Sequence, residues 1–231
     1  MNKVVVNLAE AIRDIEDGAR IMVGGFAASG GANNLVQALI AKGTKDLTII
    51  CTGSPEWMPF VENDRAKKVI SGFTSHSLRP EITEVIEAKV RAGKLEVETV
   101  PHGILSERIR ARKAGIPAFY TPIGVGTVFG EGKETKLFDG DECVLERAIE
   151  ADFALIRGHY GDRLGNLTCR FVARNRNTEM AGAAEVTIAE VEEIVEVGDI
   201  DPERVDIQGI YVQRVVRAPK IVKWLDGHEA V

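Results

Sequence analysis

Four short stretches of the chain carry residue types that could do chemistry. The first is Gly24-Gly25-Phe26-Ala27-Ala28-Ser29-Gly30-Gly31, between the apolar run Arg20 to Val23 and the helical pattern of Asn33 to Ala41. Its glycines permit positive φ angles and close backbone approach to a ligand. Amides at the start of the following helix could hold an anion or a polarised carbonyl oxygen. A plain strand-to-helix turn accounts for the same residues equally well. The pattern is not the GxGxxG dinucleotide fingerprint, and no acidic residue ends the next strand, Leu47 to Thr52. No Lys-Ser or Lys-Thr follows, so it is not a P-loop. The second stretch is Pro101-His102-Gly103, directly after the strand pattern Leu95 to Val100. Open α/β sheets bind ligands at such carboxy-terminal strand edges. His102 there could donate a hydrogen bond or act in acid–base chemistry, or be a surface histidine in a Pro-Gly turn.

The third stretch, Thr121 to Glu134, holds Gly124, Gly126, Gly130 and Gly132. It reads as a ligand-covering loop or a long surface excursion. The fourth, Arg170 to Asn177 (RFVARNRN), could bind carboxylate or phosphate oxygens; a solvated basic segment is as good a reading. No GxSxG occurs, and the four histidines have no HxH or HExxH spacing. Cys51, Cys143 and Cys169 form no CxxC pair. Reduced, largely buried thiols are expected, with no disulfide, no metal site and no tightly bound cofactor.

The elements that must position these stretches alternate. Leu8 to Ile15 is a helix pattern with Asn7 as N-cap; Arg20 to Val23 is a buried strand; Asn33 to Ala41 is a helix closed by Lys42-Gly43. Leu47 to Thr52, Ala66 to Phe73 and Leu95 to Val100 are strand candidates. Arg79 to Gly93 and Ile104 to Gly115 are helices stopped by glycine. The segment from Pro117 to Glu134 is read as glycine-rich and irregular. Asp152 to Gly161 reads as a strand running into a loop, and Ala184 to Val195 as a strand whose glutamates leave helix open. Asp201 to Val216 ends on a short strand. This order predicts an α/β fold: an open three-layer α/β/α arrangement on a mostly parallel sheet. One domain over residues 1–231 is expected, with an extended tail after about Pro219.

The composition fits that reading. Of 231 residues, 45% are hydrophobic and 28% charged, as in ordinary globular proteins, and the net charge is −6 with no basic run for nucleic acid. The N-terminus breaks into charge after six residues and lacks a signal-peptide core. No apolar run could span a bilayer, so a cytoplasmic protein without membrane association is expected.

At the same four stretches the sequence resembles the A (alpha) chain of family I coenzyme A transferases, the 3-oxoacid and acetate group. The signature of that chain is Asp-Gly, two residues, three apolar residues, Gly-Gly-Phe, three residues, Gly, one residue and Pro. Here it reads DGARIMVGGFAASGGA, Asp17 to Ala32, with every element matched except the last, where Ala32 stands for Pro. The resemblance continues through ERIRARKAGIPAFYTPIGVGT, EGKE, RFVARNRN and VEEIVEVGDIDPERVDIQGIYVQRVV, and so covers nearly the whole chain. It implies a partner B subunit of similar fold, often in an α2β2 heterotetramer, with the active site between the two. A B-subunit glutamate followed by Asn-Gly would attack the acyl-CoA in a ping-pong reaction, with coenzyme A as substrate. This chain has no Glu-Asn-Gly; its one Glu-Asn, Glu62-Asn63, is followed by Asp64.

The chain departs from the 3-oxoacid branch where substrate would sit. Asn-Asn becomes Cys51-Thr52-Gly53-Ser54, and Pro-Gln-Gly becomes Pro101-His102-Gly103. Trp-Lys-Ala-Asp becomes His159-Tyr160-Gly161-Asp162, and Arg-Asn-Phe-Asn becomes Arg174-Asn175-Arg176-Asn177. Within the resemblance, Gly24, Gly25, Phe26, Gly30, Thr52, His76, Gly103 and Arg176 are candidates for the substrate or CoA site. His102 is the supporting catalytic candidate. Arg176 is the candidate contact for an acceptor carboxylate. Two other functions stay open on the same scaffold. One is a CoA-thioester or ring-opening hydrolase, motivated by His76, His102 and His159 as water activators. The other is a non-catalytic acyl-CoA sensor.

Overall fold

The computed structural model of the chain describes residues 2–27, 29–74 and 80–218. Short apolar runs become the centre of a seven-stranded sheet: β1 (Arg20–Val23), β2 (Leu47–Cys51) and β3 (Ala66–Ser71) bury their C-terminal halves on both faces. β4 (Glu96–Thr99) is the edge beyond them. On the other side of β1 lie β8 (Phe153–Asp162), β9 (Val186–Val195) and β10 (Arg214–Arg217), giving the order β10-β9-β8-β1-β2-β3-β4 with all neighbours parallel. The mostly parallel α/β fold read from the sequence is the fold observed. The chain leaves β1 in one direction and returns on its other flank, so the connections after β1 and β8 diverge. That divergence opens a crevice at the strands' carboxy-terminal ends.

Helices cover both faces, because a sheet buried on two sides needs apolar partners on each. α1 (Leu8–Ala11), α2 (Asn33–Lys42), α3 (Ser54–Glu62) and α4 (Pro80–Arg91) share a core with Ile21, Ile49 and Leu155. α5 (His102–Lys113) and α6 (Asn177–Met180) lie on the opposite face with Met22, Ile50 and Ile156. Helix ends follow their caps: Asn7 Oδ1 accepts from Glu10 N at the start of α1, and Gly43 closes α2 at φ 89°.

Two elements differ from the sequence expectation. α3 has no counterpart in it, since Pro55 and Pro59 argue against helix. Pro55 sits in the first turn, where a missing N–H costs nothing, and buried Trp57, Met58, Phe60 and Val61 fix the helix on the sheet. The stretch read as irregular carries a second, antiparallel sheet of β5 (Ala118–Thr121), β6 (Thr135–Phe138) and β7 (Asp141–Arg147), in the order β5-β7-β6. Asp139 and Gly140, both at positive φ, turn the β6–β7 hairpin. Buried Glu146 pins this sheet to α5 and to the glycine-rich loop, by pairing with Arg108 (2.5 Å) and with Lys133. The Thr121 to Glu134 segment is thus tied down at its end rather than a free cover. The tail after Pro219 lies outside the described residues.

Candidate functional site

The crevice beside β1 gathers three of the four chemically interesting stretches. The first forms the β1–α2 loop, where Gly25 (φ 116°) and Gly30 (φ 67°) use the conformations expected of glycine. Within it Phe26 and Ser29 exchange backbone hydrogen bonds at 3.0 Å. Thr52 and Gly53 follow β2, Gly72 and Phe73 follow β3, and His102 opens α5 after β4.

His102 is the centre of this edge. Its ring makes edge contacts with Phe26 (centroids 5.5 Å) and Phe73 (4.6 Å). It lies on Gly72 so closely that a Cβ there would fall 1.7 Å from its Cδ2. Burial lowers the ring's pKa below the ordinary histidine value and the Arg176 charge adds to that, while the Thr52 backbone opposes it. The ring is therefore neutral at pH values where a solvated histidine is half charged. Activity that depends on neutral His102 should be level near pH 7 and fall only below about 6.5. A pH–rate profile checks this, and a limb at or above that value would contradict it.

Among the described residues, three buried polar atoms at this edge have no hydrogen-bond partner: Ser29 Oγ, Thr52 Oγ1 and His102 Nε2. Thr52 is 2% exposed. Leaving such atoms unpaired costs about 1–3 kcal/mol each, so they mark where a polar ligand group fits. Buried Glu56 of α3 lies under the loops, its carboxylate oxygens 3.1 and 3.2 Å from where Cβ atoms on Gly25 and Gly53 would be. Phe26 and Phe73 are partly exposed and form the apolar rim.

The other sequence candidates fall out as follows. Gly24 and Gly30 are packing positions: a Cβ on Gly24 would overlap Asn177 Oδ1, and one on Gly30 would lie 2.6 Å from Ala173 O. Gly103 is exposed in the first turn of α5, with open space where its Cβ would be. Arg176 is near enough to His102 to lower its pKa, but its guanidinium is engaged by Glu179 at 2.8 and 3.0 Å. His76 lies outside the described residues. His159 belongs to a different cluster, with Nδ1 3.0 Å from Glu192 Oε2. It lines a cavity of about 820 Å³ with Cys169, Arg174 and Asp206. Asp162 caps a turn by accepting from Leu164 N and from Asn166 N and Nδ2.

One expectation is corrected. The α2 N-terminus, a candidate anion holder on sequence, already holds an internal anion. Glu190 of β9, fully buried, accepts from Leu35 N (2.8 Å), Asn34 Nδ2 (3.0 Å) and Arg157 Nη1 (2.6 Å). Burial pushes this carboxyl's pKa up, against the charge of Arg157 and the donors. Donors aimed at both oxygens leave no acceptor for a carboxyl proton, so the geometry fits the ionised form. From Arg157 the chain of charges continues to Glu192, His159 and Arg170. Burial alone would raise Glu192, but Arg157 and His159 outweigh it and hold the carboxyl below its usual range.

Sequence reasoning missed Glu190, Arg157 and Asn177 as parts of this region. The available signal was the inward face of β9, Ile188-Glu190-Glu192, where a buried charge needs a partner. Among the described residues no cluster of His, Cys, Asp and Glu could hold a metal ion, and no helix is long and apolar enough to cross a membrane.

Comparison with known proteins gives this geometry a context. The Coenzyme A transferase family matches residues 5–218. The chain is 46% identical over 220 residues to the A chain of the two-subunit 3-oxoadipate CoA-transferase of Pseudomonas putida, covering 94% of each chain. It is 39% identical to the A chain of the succinyl-CoA:3-ketoacid coenzyme A transferase of Helicobacter pylori, covering 98% of this chain and 97% of that one. Its fold is similar to glutaconate coenzyme A-transferase from Acidaminococcus fermentans, with TM-score 0.84 and 23% identity over 94% of this chain and 76% of the other.

Proposed function

The chain belongs to the coenzyme A transferase family, and from that premise we propose that it is the acyl-selecting half of a two-subunit transferase whose nucleophile is a partner glutamate. The reaction moves CoA between an acyl-CoA and a carboxylic acid. A carboxylate of the partner attacks the thioester carbonyl, and the CoA thiolate leaves as an acyl anhydride forms. The thiolate then attacks the glutamyl carbonyl of that anhydride. The donor acid departs and a glutamyl-CoA thioester remains. An acceptor carboxylate runs the two steps in reverse, so donor and acceptor occupy the site in turn.

The single observation that carries this chain's share is the trio Ser29 Oγ, Thr52 Oγ1 and His102 Nε2, buried and unpartnered at the sheet edge. The two hydroxyls can donate to an oxygen that gains charge during attack, which is worth more in the transition state than in the ground state. Neutral His102 orients such an oxygen through a hydrogen bond without adding charge. Phe26 and Phe73 cover the acyl chain, and Gly24, Gly25 and Gly30 let the loop backbone come close. Gly103 leaves room at the start of α5. Arg176 meets the acceptor carboxylate by exchanging Glu179 for it, and His76 completes the CoA side. The assembly is an α2β2 heterotetramer in the cytoplasm, with coenzyme A as substrate, no resident cofactor and no membrane contact.

Hydrolysis on the same scaffold would draw on several histidines acting together. His102 and His159 sit in different clusters with different partners, which takes away that motive. Co-expression with the adjacent gene product and an acyl-exchange assay tests the proposal. The complex should exchange CoA between acids with ping-pong kinetics, and thioester hydrolysis without exchange would overturn it.

A further inference from the structure

The loop that carries Phe26 and Ser29 is held by side chains that do not themselves line the site. Asn177, fully buried, uses its whole amide on backbone. Its Oδ1 accepts from Arg157 N (3.1 Å), and its Nδ2 donates to Gly30 O (2.9 Å) and Ala173 O (2.8 Å). The same Oδ1 fills the space beside Gly24, where a Cβ would lie 2.0 Å from it. Asn175, two residues earlier, donates from Nδ2 to Ser29 O (2.9 Å) and Val172 O (3.2 Å). The far end of the loop, at the start of α2, is tied through Leu35 N and Asn34 to Glu190, and Glu190 to the side chain of Arg157. One residue, Arg157, thus anchors both clamps, by its backbone N–H to Asn177 and by its guanidinium to Glu190.

We infer that Asn177 and Asn175 are positioning residues for the reaction: their amides set where the β1–α2 loop places Phe26 and the Ser29 hydroxyl relative to His102. An amide is suited to this task because only it both donates to the two carbonyls and accepts from the Arg157 N–H at one point. Aspartate would keep the acceptor and lose both donors. The inference rests on the transferase reading for its kinetic arm, but not for its exchange arm.

The test uses the complete two-subunit enzyme. Asn175→Ala removes one tie from a partly buried residue. It should lower kcat about tenfold while KM for acyl-CoA changes by less than about threefold, because the lost interaction orients rather than binds. Amide hydrogen exchange of Phe26 and Ser29 should quicken while that of Ile49 and Ile50 in β2 stays as in the parent. A second arm pairs Gly24→Ala with Asn177→Ala. Gly24→Ala should be far more damaging in the parent, where the Asn177 amide fills the space, than in the Asn177→Ala background. The double variant should keep at least about tenfold more activity than the product of the single losses. Multiplying losses, or parental exchange at Phe26 and Ser29 in Asn175→Ala, overturns the inference. A parent complex with no transferase activity would instead overturn the functional reading, and the exchange arm would still report on the clamp. If Asn177→Ala does not fold, Asn175→Ala decides.

Discussion

Replacing Arg157 by leucine is expected to destabilise the chain by about 3–5 kcal/mol, because it strands a buried carboxylate without its counter-charge. Arg157 reaches Glu190 at 2.6 Å and Glu192 at 3.1 Å, and the Glu190 side chain has no solvent exposure. A loss of that size is a large share of the total stability of a domain this long. The companion variant Arg157→Leu/Glu190→Leu should recover most of it, since a buried pair replaced by apolar residues of similar size is often neutral. A deficit of about 1 kcal/mol should remain, because Leu35 N and Asn34 lose their acceptor at the start of α2. Denaturant midpoints of the three proteins check this. A single variant with the parental midpoint, or a double variant as weak as the single, would show that the pair does not hold the sheet to α2.

The second large effect is expected at Gly72, which has no chemistry of its own. A Cβ there would lie 1.7 Å from His102 Cδ2 and 2.2 Å from Nε2, both atoms of a rigid ring. The ring cannot yield by a few tenths of an ångström, so Gly72→Ala should turn it away from Phe26 and Phe73. Displacing an orienting group by about 1 Å can cost about a hundredfold in rate. The cost in stability should be smaller, about 1–3 kcal/mol for an overpacked edge. The measurement is kcat/KM of the complex beside a thermal melt. Parental rates in a folded Gly72→Ala enzyme would remove His102 from the site.

What could be read in advance follows from the range of the interactions. The strands β1, β2 and β3 are contiguous apolar runs followed by turn residues, and local pattern is sufficient for them. So it is for the β1–α2 loop, whose four glycines announce unusual backbone. β9 is ambiguous because its glutamates suit a helix surface, and the reason for them is Arg157, its cross-strand neighbour in β8. No local pattern announces a partner 33 residues away. The clamp by Asn177 is equally hidden: its contact to Gly30 spans 147 residues. Arg-Asn-Arg-Asn suggests ligand oxygens, whereas the last asparagine serves backbone carbonyls. The β6–β7 hairpin was legible and missed, since Asp139-Gly140 is a strong turn signal. The glycines before it draw the whole stretch into one irregular loop. α3 shows the opposite case, where burial of Trp57 and Phe60 overrides two prolines.

The central claim is a division of labour: this chain binds and orients, and a partner chain carries the covalent step. Intact-mass measurement of both proteins after incubating the complex with acyl-CoA tests it most directly. A CoA adduct is expected on the partner and none on this chain, with no exchange by this chain alone. An adduct on this chain, or CoA exchange catalysed without the partner, would contradict it.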